Sequence, residues 1–117
     1  MNQNPQQLMD GMAAKNREMS MKIDEFSTLA ENMANAEREY NVLFSRKLLE
    51  LKADGIAVTT SKELAKGDSR VADALFAFRV AEAVYKACDK KIRSLDTAID
   101  TYRSMLSWMK QEYGKQA

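Results

Sequence analysis

A chain with no histidine and a single cysteine has few ways to do covalent chemistry. The missing histidine excludes histidine-dependent nucleophile triads, zinc–histidine sites and the Glu-x-x-His di-iron bundle. Cys88 has no histidine to activate it, and its place on an apolar stripe reads as a small buried residue. The AKGDS stretch at residues 65–69 superficially looks like the end of a phosphate-binding loop, but no G-x-x-x-x-G-K-[ST] is present. Asp96 and Asp100 stand at i, i+4, and Glu37 and Glu39 are near neighbours. Such pairs bind a cation weakly and more commonly form a solvated face. No enzyme, metal or cofactor is expected from these residue types.

Two groups of side chains remain that suit binding. Methionines and aromatics gather toward the two ends of the chain: Met9, Met12, Met19, Met21, Met105, Trp108, Met109 and Tyr113. Methionine-rich aromatic surfaces adapt readily to partners. Basic residues gather around the middle, where residues 38–93 hold twelve Lys or Arg against eight Asp or Glu. Arg46, Lys47, Lys52, Lys62, Lys66 and Arg70 lie in or beside the stretch GIAVTTSKELAKGD. A nucleic-acid footprint is usually denser than this, so nucleic acid is the second expectation and a protein partner or a homo-oligomer the first.

The elements that must position these groups follow from periodicity. From Val71 to Tyr113, every third then fourth residue is apolar or aromatic, through Phe78, Cys88, Leu95, Ile99, Tyr102 and Leu106. An unbroken stripe of that spacing predicts a long helix with a coiled-coil-type seam. The first half carries a rougher stripe: Met12, Met19, Ile23, Phe26, Ala30, Met33, Tyr40, Phe44, Leu48 and Leu51. The expectation is an all-α, coiled-coil-like antiparallel helical hairpin forming one domain, residues 10–117. A flexible tail would cover 1–9, helix 1 about 10–54, the elbow 55–68 and helix 2 about 69–113. Each arm would be roughly 65–70 Å long. With a symmetrical elbow, facing residues carry numbers that sum to about 123, so Phe26 would meet Leu95 and Ile99, and Glu37 would lie near Lys86.

The elbow parses chemically. Gly55 suits a left-handed helix stop. Residues 56–60 are apolar and β-branched, and read as extended. Thr60-Ser-Lys-Glu63 matches a capping box for one short helical turn, and Asp68 suits the cap of helix 2. The apolar residues Ile56, Val58 and Leu64 are expected to fold back on Phe76 and Val80. Those two lie on a second strip of helix 2, with Ala83 and Ala87, outside its seam.

Residues 48–92, LLELKADGIAVTTSKELAKGDSRVADALFAFRVAEAVYKACDKKI, resemble small helical proteins encoded by bacteriophages and prophages. The likeness lies in the leucine-rich helix end, the Gly-Ile-x-Val-Thr elbow, the Leu-Ala-Lys-Gly-Asp link and the Ala-Glu-Ala-x-Tyr-Lys continuation. It implies a protein of bacterial cytoplasm, of a kind often encoded beside replication or recombination genes. It carries over no functional residues. Net charge is +1 and no apolar run approaches a membrane span, so no membrane partner is expected. The polar N-terminus lacks the apolar core of a secretion signal, and a lone cysteine fits a reducing compartment. The function these readings favour is a non-catalytic scaffold, adaptor or modulator, with an accessory nucleic-acid factor as the alternative.

Overall fold

The structure is a computed structural model that describes residues 4–116; the side chains of Tyr113, Lys115 and Gln116 lie outside the description. The chain is all-α, a long helical hairpin built from α1 (Pro5–Ala53), α2 (Val58–Gly67) and α3 (Ser69–Gln116).

The start of α1 differs from the expected residue 10. Asn4 and Gln7 cap it reciprocally. The Asn4 side-chain oxygen accepts from the Gln7 backbone N–H at 2.8 Å, and the Gln7 side chain accepts from the Asn4 N–H at 3.1 Å. Pro5 follows at the first helical position, where its missing N–H costs nothing. Roughly one and a half turns are thereby added, and Leu8, in the segment expected to be a tail, is 1% exposed.

Between α1 and α2 the chain makes a Schellman stop. Gly55 has φ 81, the Gly55 N–H donates to the Lys52 carbonyl and the Ile56 N–H to the Leu51 carbonyl. Leu51 is buried and Ile56 half-buried, in the positions where this motif makes its apolar contact. The expected extended run at 56–60 is replaced by helix from Val58, so the capping box at Thr60 and Glu63 does not form. Ala57 stands at the cap position and offers no side-chain acceptor. Thr60 is instead inside α2. Asp68 breaks the helix with ψ 132 and caps α3, its Oδ1 accepting from Arg70 N–H at 3.1 Å and Val71 N–H at 3.2 Å.

Two compact units divide the chain, Met1–Phe26 with Ala87–Ala117, and Ser27–Lys86. In the first, the core is made by Leu8, Cys88, Leu95 and Ile99. The Cys88 thiol donates to the Lys22 carbonyl at 3.4 Å, and Lys91 pairs with Glu18 at 3.2 Å. The symmetrical register would set Lys22 against Thr101, so these arms are slid by between one and two heptads. In the second unit the core is Leu51, Ser61, Ala65, Val71, Ala74 and Phe78. Lys47 reaches Asp68 at 3.6 Å. Helical α2 therefore brings the chain back along α1 by about six residues, roughly 9 Å, before α3 begins. Lys86 pairs with Glu82 in its own helix rather than with Glu37, which is exposed.

Candidate interaction surfaces

In the first unit, the residues expected at the methionine-rich end divide by helical position. Met12, Met19 and Met109 are half-buried at the edges of the seam. Met21 is 64% exposed, Trp108 62% and Met105 40%, and Met9 and Ile23 are also exposed. The side chain of Tyr113 lies outside the described residues. Met105, Trp108 and Met109 stand at i, i+3 and i+4, so they share one face of α3.

The second unit corrects the elbow expectation. Val58, Leu64, Phe76 and Val80 are all exposed, and among the described residues Phe76 is the most exposed of the large apolar side chains at 71%. The reason is the early start of α2. Once Val58 is helical, the inward face falls on Ser61 and Ala65, four residues apart; Leu64 turns to the side, and Val58 stands in the first turn, ahead of that buried pair. Ser61 is satisfied inside this core, its hydroxyl donating to the Ile56 carbonyl at 3.2 Å. Small residues let α2 lie close, and they leave no apolar arm to cover Phe76.

The basic residues are only partly brought together. Arg46, Lys47 and Arg70 line one crevice, beside Leu43 and Val71, but Glu50 and Asp68 line it too. Lys47 is bridged to both acids, at 3.5 and 3.6 Å. The Val71 N–H holds Asp68 below its ordinary range; burial opposes this, and Lys47 and the Arg70 N–H add to it. Lys62 and Lys66 lie exposed on α2, with Lys66 paired to Glu63 at 3.5 Å, and Lys52 is exposed in the last turn of α1. A crevice this nearly neutral is no strong anion site.

A surface the apolar-stripe reading missed lies on the outer face of α1. A shallow groove runs along it, lined among others by Ala34, Arg38, Val42, Ser45 and Leu49. Leu49 is 68% exposed and Val42 44%. Its signal was present in the sequence: Arg38, Val42, Ser45, Leu49 and Lys52 step by four and three, like a seam, on the face opposite Tyr40, Phe44 and Leu51.

Among the described residues, no cluster of acidic or sulfur side chains is arranged to hold a metal ion, and no helix is long and apolar enough to cross a membrane. Comparison with family models, with curated proteins and with solved structures finds no match.

Proposed function

We propose that this protein is a non-catalytic helical scaffold or adaptor that works through protein–protein contacts, self-association among them. The observation that carries this reading is the quantity of large apolar surface on an otherwise charged hairpin. Phe76, Leu49, Met21, Trp108 and Val58 are each more than 60% exposed. Isolated exposed apolar residues are ordinary, but several set at seam spacing on a thin helical object favour burial against another protein. The side chains present also include no histidine, and the lone cysteine is buried and bonded to a carbonyl.

Sedimentation of the full chain across a wide concentration range tests the reading. The expected result is a mass above that of the monomer, falling on dilution. Cross-linking in host extract adds the heterologous arm: a defined adduct that disappears in Met105→Glu and Trp108→Glu supports an adaptor at the methionine-rich face. A chain that stays monomeric and captures no defined adduct removes the proposal.

A further inference from the structure

Within the reading of self-association, we infer that the partner is a second copy of this chain and that the contact is head-to-tail, the outer face of α1 on one copy against the outer face of α3 on the next. Both faces lie in the unit Ser27–Lys86 and both are exposed.

The two faces match by spacing, size and charge. On α1 the outer seam runs Arg38, Val42, Ser45, Leu49, Lys52; on α3 it runs Asp73, Phe76, Val80, Ala83. Set antiparallel, the intervals coincide at every step. Lys52 falls opposite Asp73 of the second copy, Leu49 opposite Phe76, Ser45 opposite Val80 and Val42 opposite Ala83. Each layer but the charged one pairs a larger side chain with a smaller one or two apolar ones, as a packed seam needs. Phe76 projects, and the α1 face it meets is the grooved one. Among the described residues, neither Lys52 nor Asp73 forms an ion pair within the chain, so each is available to the other.

The flanking positions agree. Beside the seam, Arg46 falls near Ala77, Leu48 near Arg79, and Asn41 near Lys86, so no like charges meet. Pairing α3 with α3 of a second copy is poorer, because it sets Arg79 beside Lys86. A contact between two different faces is heterologous: each copy keeps one free α1 face and one free α3 face, and assembly continues beyond the dimer unless a ring closes. The seam is roughly 20 Å long, a modest interface that fills only as concentration rises.

Mixing two single variants tests this directly. Phe76→Asp blocks the α3 face and Leu49→Asp the α1 face; both positions are exposed, and circular dichroism confirms that each variant keeps its helix content. Sedimentation velocity should show the wild-type mass rising past that of a dimer. Each variant alone should lose at least tenfold in association. Mixed in equal amounts, they should form a one-to-one dimer through their two intact faces and nothing larger. Lys52→Glu and Asp73→Lys should each weaken assembly severalfold, and the double variant should restore it. If the wild type assembles but either single variant assembles equally well, or the mixture stays monomeric, this contact is overturned while self-association stands. A wild type that is monomeric throughout overturns self-association and this contact together.

Discussion

At the scale of single residues, close approach and capping carry the strongest consequences. Gly11 sits under the ring of Tyr102: a Cβ placed there would lie 2.6 Å from the hydroxyl oxygen and 2.8 and 2.9 Å from ring carbons. Alanine ordinarily gains about 1 kcal/mol over glycine inside a helix. Here Gly11→Ala must displace the ring, so the variant should melt below wild type despite that gain. In a Tyr102→Ala background the same change should become stabilising, and a double-mutant cycle read by urea denaturation checks the reversal. Asp68 gives a pH dependence. Its folded pKa is lowered, chiefly by the Val71 N–H and further by Lys47. The ionised form is the one the fold favours, so its contribution is present above the ordinary carboxylate range, about 4, and is lost as pH falls through the lower folded value. The melting temperature should fall as pH drops below about 4. Asp68→Asn keeps a cap oxygen but cannot titrate, so its melting temperature should fall less over that window.

At the scale of elements, the stops and starts of the helices were partly legible. Gly55 was readable because the chain must turn left-handed after the last helical residue, and its φ of 81 suits only glycine without strain. Gly55→Ala should cost about 1 kcal/mol for that reason, measured by chemical denaturation. Asp68 was readable because its oxygen can reach two free N–H groups. The Thr60–Glu63 box was a false signal, and Asn4–Gln7 was the true one. Both fit the same three-residue spacing, and what separates them is the residue at which the helix begins. Pro5 directly after Asn4 forces a fresh start there, whereas Ala57 and Val58 let α2 begin early. Leu8, buried in the first turns of α1, reports on this: Leu8→Ala should cost about 2–3 kcal/mol, where a residue in a frayed tail would cost almost nothing.

At the scale of the whole molecule, the core positions on α3 were read correctly from spacing alone. Val71, Ala74, Phe78, Cys88, Leu95 and Ile99 are all buried. Ile99 is 2% exposed, and Ile99→Ala should lower stability by about 3 kcal/mol in urea denaturation. What the seam faces was not readable. A heptad stripe slid by about two heptads still sets apolar against apolar, so spacing alone does not choose between Lys22 near Thr101 and Lys22 near Cys88. The choice belongs to the elbow. A ten-residue α2 with Ser61 and Ala65 inward packs close and carries the chain back to Lys47. The amino-acid sequence by itself therefore determined the two long helices, the buried face of α3, the glycine stop and the aspartate cap, because these depend on neighbours a few residues away. Only the tertiary structure decided the register of the arms and which apolar residues stay outside, because both depend on where α2 lies in three dimensions.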